Sequence, residues 1–390
     1  MVCQQLATEY SRQGWDVTVL SMDTSKAGLF ARPEEVRAPA GRVTFLPMAT
    51  RMETSGVSLL LVVPPSIPGM IRLLREFRRE PWDAVHLHGN PSFLVDAMGL
   101  LCRIAMRPQA LTFHGAIGDP TRFGRMGGAL YRALIGVERR IFASATAITA
   151  VSGTTLNEVR LLGFHALRMV TIPNAGFLTP SGAESGENEP SGVLARWGLE
   201  RGNFALCLGA FMRRKGQDLL LSAFTELAAR RALPETLQLV FAGFERDPAF
   251  SAELRRIVTN TGLESRVRLV GEVTESEKHG LLRAARWVIM PSRYEASPVL
   301  AFEAMAIGCV LVVPDLPNFQ EIVGEGPNAV TFHAGDSYSL SQALADLARE
   351  PERESAIHIA ALRRSQSFAT WPDVARAYLD LFSDPSDRSG

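Results

Sequence analysis

The chain alternates short apolar runs with longer stretches of helical periodicity, and this alternation restricts the fold more than any other feature. Strands of a parallel sheet covered by helices on both faces read as continuous apolar runs, because neither face meets water. The sequence therefore predicts an α/β fold with doubly wound parallel sheets. The predicted strands are Asp16–Leu20, Val43–Leu46, Ala84–His88, Ala110–Phe113, Ala147–Val151, Met169–Pro173, 204–208, 237–242, 267–270, 287–290, 309–313 and 329–332.

The length of 390 residues exceeds the usual size of one core, so two domains are expected. Residues 180–192 lack apolar core residues and read as an exposed connection. We expect a Rossmann-like N-terminal domain over 1–178, a linker over 179–203 and a Rossmann-like C-terminal domain over 204–370. A closing helix over 371–384 is expected to pack back toward the N-terminal domain. The two domains are expected to face each other across a cleft.

Composition indicates the cellular compartment in which the protein is expected. The best candidate for a membrane span, Val57–Ile71, is too short and contains three prolines, and no signal peptide follows Met1. The four cysteines lack paired spacing, which favours free thiols in a reducing cytoplasm over disulfides or a zinc site. We therefore expect a cytoplasmic protein, and we expect no nucleic-acid partner.

Arginines recur at helical spacing in two stretches of the N-terminal half. These are Arg72, Arg75, Arg78 and Arg79, followed by Arg122, Arg125, Arg132, Arg139 and Arg140. Two interpretations remain open. Each stretch is either a solvated helix face or a surface attracted to the anionic inner face of a membrane, where a lipid-linked acceptor could sit.

The first candidate site follows the predicted strand 204–208. Gly209 allows a sharp turn off the strand, and Arg213, Arg214 and Lys215 then precede a helix. Cations beside the free amides of a helix N-terminus suit a phosphate. Only three of the 41 basic residues are lysines (Lys26, Lys215 and Lys278), so a lysine at this position is less readily explained as a general surface charge.

The second candidate site follows the predicted strand 287–290. Ser297 and Pro298 mark a helix start, with serine as the expected N-cap. Glu303 lies at the edge of the helix face that packs on the sheet, where a carboxylate needs hydrogen-bond donors such as sugar hydroxyls. Glu295 precedes the same helix.

Together these motifs resemble the retaining glycosyltransferases of family four, which belong to group 1 and have the GT-B type of fold. The resemblance rests on the glycine, lysine and glycine at 209, 215 and 216, and on Glu295 and Glu303 ahead of Ala304-Met-Ala-x-Gly308. Shorter matches are Asp83-Ala-Val-His-Leu-His-Gly89, Thr112-Phe-His-Gly115, Ala150-Val-Ser152, Ile172-Pro-Asn174, Arg266-Val-Arg-Leu-Val-Gly271 and Glu321-Ile-Val323.

The resemblance implies a nucleotide-diphosphate sugar as donor and a glycan, lipid-linked or small-molecule acceptor, in polysaccharide or glycoconjugate synthesis. It implies that Lys215 and a nearby arginine neutralise the diphosphate and that Glu303 accepts from the ribose hydroxyls. Glu295 and the amides of Ser297 to Val299 would hold the sugar, and His114 would reach it from the N-terminal domain. The transfer is expected to retain configuration and to need neither a metal nor a further cofactor.

The histidines give two further expectations. His114, at the end of a predicted strand, is the expected catalytic histidine, and His88 is the expected acceptor-side contact. His86 and His88 share one side of a strand, but no third ligand is evident beside them, so no metal site is expected.

The sequence departs from the family pattern at two places. The residue after Gly209 is Ala210 where arginine is usual, so Arg213 or Arg214 is expected to substitute. The first strand and glycine-rich loop of the family are missing ahead of the first helix, so we expect the true translation start upstream of Met1. The alternatives of a nucleotide-sugar epimerase, a sugar phosphorylase or a catalytically weak sugar-nucleotide-binding protein stay open.

Overall fold

The computed structural model describes residues 2–23, 34–37, 42–49, 71, 74–75, 77–79, 82–89, 93–115, 124–176 and 191–383. Lys26, Arg72, Arg122, the segment 179–190 and residue 384 lie outside these ranges, as does nearly all of the apolar stretch that ends at Ile71. Within them, no helix combines the length and apolar character that crossing a membrane requires. All four cysteines are free thiols.

The helices and strands alternate along most of the chain. The helices are α1 (Val2–Arg12), α2 (Phe93–Ile104), α3 (Gly124–Phe142), α4 (Gly153–Leu161), α5 (Ser191–Trp197), α6 (Gln217–Ala229), α7 (Pro248–Asn260), α8 (Glu275–Ala284), α9 (Val299–Ile307), α10 (Pro317–Val323), α11 (Ser337–Arg349), α12 (Pro351–Ser365) and α13 (Trp371–Leu379). The strands are β1 (Val17–Asp23), β2 (Glu34–Arg37), β3 (Arg42–Ala49), β4 (Val85–His88), β5 (Gln109–Phe113), β6 (Ala147–Ala150), β7 (Arg168–Thr171), β8 (Phe204–Leu208), β9 (Gln238–Ala242), β10 (Val267–Gly271), β11 (Trp287–Ile289), β12 (Val310–Pro314) and β13 (Val330–Phe332).

The chain forms two compact units. One comprises Met1–Asn174 with Ala369–Gly390, and the other comprises Ala175–Phe368. The closing helix α13 belongs to the first unit, where it packs against α1. The segment predicted as a linker contains α5, whose Val193 and Leu194 are buried in the second unit.

In the residues that the structure describes, the N-terminal unit has two sheets. Strands β4-β5-β6-β7 are parallel throughout, and a three-stranded sheet has the order β1-β3-β2. Strand β1 runs parallel to β3, as predicted, whereas the unpredicted β2 runs antiparallel to β3. The short, charged β2 carries Glu34, Glu35 and Arg37, so it lacks the apolar run by which a buried strand is recognised.

The C-terminal unit is built on one parallel sheet of six strands in the order β10-β9-β8-β11-β12-β13. Successive side chains of a strand point to opposite faces. In β8, Ala205 and Cys207 join one buried cluster, while Phe204 and Leu206 join the other. Both faces are covered, which confirms the predicted α/β class for this unit.

A buried carboxyl group on α3 meets a half-buried one on α2. Glu138 is buried, and its side chain forms a hydrogen bond with that of Asp96. Burial, together with the nearby negative charge of Asp96, raises the pKa of Glu138 far above its ordinary value. Glu138 therefore keeps its proton in the folded chain and uses it to donate a hydrogen bond to the carboxyl group of Asp96.

Replacing Glu138 by glutamine is expected to raise the melting temperature at pH 8 and to have little effect near pH 5. A raised folded pKa stabilises the folded chain below the unfolded pKa, and this stabilisation is lost as pH rises from about 4.5 toward the folded pKa, by up to about 1.4 kcal/mol per pH unit. Glutamine keeps the donor to Asp96 but carries no titrating proton. Thermal unfolding across pH measures the difference in melting temperature between wild type and Glu138→Gln, with the exposed Asp83→Asn as control. A difference that does not change with pH would contradict the prediction.

Candidate functional site

The order of the six-stranded sheet reverses at β8. The chain runs outward from β8 to β9 and β10, then returns to place β11 on the other side of β8. In open parallel sheets, ligands bind beyond the carboxyl ends of the strands at such a reversal, because the two loops diverge there and leave a crevice. The loop after β8 and the loop after β11 are the two candidate sites of the sequence.

Glycines allow these loops to pack closely. Gly216 has a φ of 70°, and a Cβ there would lie 1.9 Å from the carbonyl oxygen of Pro291. A Cβ on Gly243 would lie 2.1 Å from the carbonyl oxygen of Gly209. Neither approach is available to a residue with a side chain. The backbone of the first loop is therefore fixed against its neighbours by contacts that only glycine permits.

The cationic turn, Arg213–Lys215, is a short 3₁₀ helix directly ahead of α6. Lys215 Nζ lies 2.5 Å from Glu295 Oε1, and Arg214 Nη1 lies 3.1 Å from Glu295 Oε2. Ser292 Oγ donates a further hydrogen bond of 2.8 Å to Glu295 Oε1. The structure thus brings together two cations and one carboxylate that lie 80 or 81 positions apart in the chain.

Charge determines the ionisation of Glu295. Burial favours the neutral acid, but the positive charges of Lys215 and Arg214 outweigh it and lower the pKa of Glu295 below its ordinary value. The side chain of Glu295 is 7% exposed, whereas those of Lys215 and Arg214 are 22% and 40% exposed. The cations are therefore anchored by a buried carboxylate yet retain donor groups that a ligand can reach.

Arg213 does not join this cluster. Its guanidinium pairs with Glu253 and lies 5.2 Å from the ring centroid of Phe250. Arg293 supports the turn from the other side, donating to the carbonyl oxygen of Arg213 and to both carboxylate oxygens of Asp218. Arg213 and Arg214 were both expected to replace the arginine that is usual at position 210, and only Arg214 approaches Glu295.

The helix after the second loop begins one residue later than predicted. Pro298 occupies the N-cap position of α9 with φ −70° and ψ 106°, no side-chain hydrogen bond caps the helix there, and Val299 is the first helical residue. The expected capping role of the Ser297 side chain is therefore wrong, because the extended backbone at Pro298 delays the first turn. Ser297, Pro298 and Val299 nevertheless lie at the helix N-terminus, as the sequence predicts.

Glu303 is buried on α9 and pairs with a residue that the sequence reasoning missed. Lys278 Nζ on α8 lies 3.0 Å from Glu303 Oε1 and 2.5 Å from Glu275 Oε2. Lys278 is itself buried. The scarcity of lysine could have pointed to Lys278. Both lysines that the structure describes pair with a candidate carboxylate, Lys215 with Glu295 and Lys278 with Glu303.

The expected histidines meet in the N-terminal unit. Strands β4 and β5 are neighbours, so His88 and His114 lie at adjacent strand ends, with His88 Nδ1 2.8 Å from His114 Nε2. Both ring nitrogens of His86 are hydrogen-bonded, Nε2 to Thr112 Oγ1 at 2.7 Å and Nδ1 to the Tyr10 hydroxyl at 2.9 Å. Burial lowers the pKa of His86 to about 3 and that of His114 to about 4, and lowers that of His88 well below its ordinary value. All three imidazoles are neutral near pH 7.

Solved structures with the same architecture identify the fold. A sucrose-phosphate synthase of Thermosynechococcus elongatus has a TM-score of 0.76 at 20% identity, covering 97% of this chain and 91% of its own. HepE of Anabaena, in complex with UDP-glucose, has a TM-score of 0.69 at 16% identity, covering 86% and 85%. Two parallel-sheet α/β units of this kind define the GT-B fold of glycosyltransferases.

Sequence comparison gives the family. Residues 195–364 match the model of glycosyl transferases group 1, and residues 1–175 match that of the glycosyl transferase 4-like domain. A GDP-mannose:cellobiosyl-diphosphopolyprenol alpha-mannosyltransferase of Xanthomonas campestris is 23% identical over 332 residues, 82% of this chain and 77% of the relative. The chain belongs to the group 1 glycosyltransferases, and it is an enzyme of the hexosyltransferase type. The expectations of fold, family and glycosyl transfer are confirmed.

Proposed function

We propose that the C-terminal unit binds a nucleotide-diphosphate sugar at the cationic turn and that the enzyme transfers the sugar with retention of configuration. The observation that carries the proposal is the anchoring of Lys215 and Arg214 by the buried, ionised Glu295 at the reversal point of the sheet. The carboxylate holds the two cations in place before a ligand arrives, so their charge is preorganised for the diphosphate.

Each group of the donor has a proposed partner. The remaining donor groups of Lys215 and Arg214 bind the diphosphate, together with the N-terminal end of α6 beyond Gly209. Glu295 and the amides of Ser297 to Val299 hold the sugar at the N-terminus of α9. Glu303 accepts hydrogen bonds from the ribose hydroxyls, because a carboxylate is an acceptor with two oxygens.

Transfer breaks the bond between the anomeric carbon and the phosphate oxygen and forms one from that carbon to an acceptor hydroxyl oxygen. The hydroxyl proton passes to the departing phosphate oxygen, so the nucleoside diphosphate leaves as the second product. Lys215 and Arg214 stabilise the charge that develops on this leaving group, and the proposed step draws on no metal ion. From the N-terminal unit, we assign His114 to the reacting sugar and His88 to the acceptor.

The donor and acceptor of the relatives support this class of substrate. The Xanthomonas relative is named for GDP-mannose and a diphosphopolyprenol acceptor, and HepE is solved with UDP-glucose. Both donors contain a nucleoside diphosphate joined to a hexose, although their bases differ. The shared diphosphate sugar is the part that the cationic turn and Glu295 would recognise.

Thermal unfolding with UDP, GDP, ADP and their sugar conjugates tests the proposal. A ligand of the folded chain raises the melting temperature, and at 100 times its Kd it adds about 2.7 kcal/mol of stability. We expect one nucleoside diphosphate and its sugar conjugate to do so, and a mixture with acceptor to release that diphosphate. Product analysis with and without acceptor separates transfer from epimerisation, phosphorolysis and binding alone. No shift with any of these ligands would remove the proposal.

For the acceptor, we propose a lipid-linked glycan presented at an anionic membrane surface, with the protein bound peripherally. Arg132, Arg139 and Arg140 are exposed on α3, which places positive charge on one helix of the N-terminal unit. Such arginines attract an anionic surface until salt screens them. Flotation with acidic vesicles at rising salt is expected to show binding that salt releases, and its absence at low salt would contradict the membrane role.

A further inference from the structure

A cysteine and two histidines converge in the N-terminal unit. Cys3 lies in the first turn of α1, and His88 and His114 lie at the ends of β4 and β5. One potential ligand atom from each of the three side chains lies within 4.8 Å of the other two. The sequence argument against a metal was the lack of a third ligand beside His86 and His88. In the structure, Cys3 lies beside His88 and His114 as a possible third ligand, whereas both ring nitrogens of His86 are hydrogen-bonded, to Tyr10 and Thr112.

The three side chains lie near, but not at, the spacing of a transition-metal site. A tetrahedral zinc site with bonds of about 2.0–2.3 Å separates its nitrogen and sulfur ligands by roughly 3.3–3.6 Å. His88 and His114 are closer than this, at 2.8 Å, because they share a hydrogen bond. Metal binding therefore requires the hydrogen bond between His88 and His114 to break and the side chains to rotate, and Cys3 is exposed at the beginning of a helix.

One of the proposed ligands, His88, packs against a hydrogen-bonded neighbour. The His86 ring lies 3.9 Å from the His88 ring, centroid to centroid, and both nitrogens of His86 are hydrogen-bonded to Tyr10 and Thr112. The hydrogen-bonded ring of His86 thereby limits the positions that the neighbouring His88 ring can take. Both Tyr10 and Thr112 belong to elements that supply or adjoin a ligand, namely α1 and β5.

A second group of possible ligands is already filled. Glu275, His279 and Glu303 also lie within reach of one another in the C-terminal unit. There, the Lys278 ammonium lies 2.5 Å from one carboxylate and 3.0 Å from the other, so a cation already occupies the carboxylate end of that group. In the part of the chain that the structure describes, the group of Cys3, His88 and His114 is the better metal site.

We propose that Cys3, His88 and His114 bind a thiophilic divalent cation such as Zn²⁺, with the fourth position open to water. A set of one thiolate and two neutral imidazoles binds zinc in preference to magnesium or calcium, which take oxygen ligands. The bound metal ion takes up the imidazole nitrogens of His88 and His114, so these side chains no longer contact the substrate. The site is therefore inhibitory, and it has no part in the transfer step itself.

Cobalt titration of the full chain tests the site directly. Co²⁺ replaces Zn²⁺ in such sites and absorbs strongly when a thiolate is a ligand. We expect one equivalent to produce this thiolate absorption, one equivalent of Zn²⁺ to remove it, and Cys3→Ser to abolish it. The matched control His279→Gln, in the second group of ligands, is expected to leave it unchanged. The lack of any thiolate absorption, or its survival in Cys3→Ser, would overturn the proposal.

Inhibition gives a second readout, and it rests on the proposed transferase activity. Zn²⁺ at one equivalent is expected to reduce the release of nucleoside diphosphate at least tenfold, and a chelator is expected to restore it. Cys3→Ser keeps its basal activity and resists the inhibition. If transfer is never detected, the cobalt absorption still decides the site. If transfer is detected and Zn²⁺ inhibits wild type and Cys3→Ser equally, the inhibitory role fails.

Discussion

Replacing Lys215 by alanine is expected to weaken binding of the nucleotide-sugar donor about 10- to 100-fold, whereas Arg213→Ala should change it by less than about twofold. A hydrogen bond to a charged group contributes about 1.5–3 kcal/mol, which corresponds to this range of affinity. Lys215 is anchored by Glu295 at 2.5 Å and keeps reachable donors, while the Arg213 guanidinium pairs with Glu253. The two residues share the turn and the sign of their charge, so Arg213→Ala is the matched control.

Calorimetric titration with the nucleoside diphosphate measures both variants, and melting temperatures confirm that each is folded. In Lys215→Ala, Glu295 keeps the guanidinium of Arg214 and the hydroxyl of Ser292 as partners, so the carboxylate is not left alone. Arg214→Ala is expected to fall between the other two variants. If Lys215→Ala and Arg213→Ala reduce affinity equally and slightly, the turn has no part in binding the diphosphate.

Replacing Lys278 by methionine is expected to destabilise the chain by about 3–5 kcal/mol, because it removes the cation that compensates a buried carboxylate in a medium that solvates it poorly. Glu303→Leu should cost less, because the Lys278 ammonium keeps the carboxylate of Glu275 as a partner. Both side chains are buried, with Lys278 Nζ 3.0 Å from Glu303 Oε1. The double variant removes both charges, so we expect it to recover most of the lost stability.

Donor affinity separates stability from function in this series. The double variant is expected to fold well and still to bind the donor at least tenfold more weakly, because the proposed acceptor of the ribose hydroxyls is gone. Denaturant unfolding and calorimetric titration measure the two quantities on the same samples. A double variant no more stable than either single one would show that the pair is not coupled. Wild-type donor affinity in the stable double variant would exclude Glu303 from the site.

The buried strands were the most predictable part of the fold. Each strand of the C-terminal sheet was predicted to within a few residues. The four central strands are almost wholly buried and read as apolar runs, and the two outer strands keep enough apolar residues to be recognised. The charged strand β2 and the helix α5 escaped prediction, since one has a single apolar residue, Val36, and the other lies in a segment that begins with polar, glycine-rich sequence. Local composition therefore predicts strands best where an apolar run is present.

The site was predictable in part. The turn at Lys215 and the carboxylate Glu295 were visible because glycine, cations and a helix start follow a strand in sequence. Their pairing across 80 positions depends on strand order, and a single sequence does not record which strands are neighbours. The same holds for Lys278 with Glu303 and for Cys3 with His114. Residue types identified the candidates, and only the fold showed their partners.

A crystal structure with the nucleoside diphosphate that gives the largest thermal shift tests the central claim most directly, namely that Lys215, Arg214 and Glu295 form the donor site. We expect phosphate oxygens within hydrogen-bond distance of Lys215 Nζ and Arg214, and the ribose hydroxyls beside Glu303. A nucleotide bound elsewhere, with the Lys215–Glu295 contact unchanged and no phosphate near it, would contradict the account.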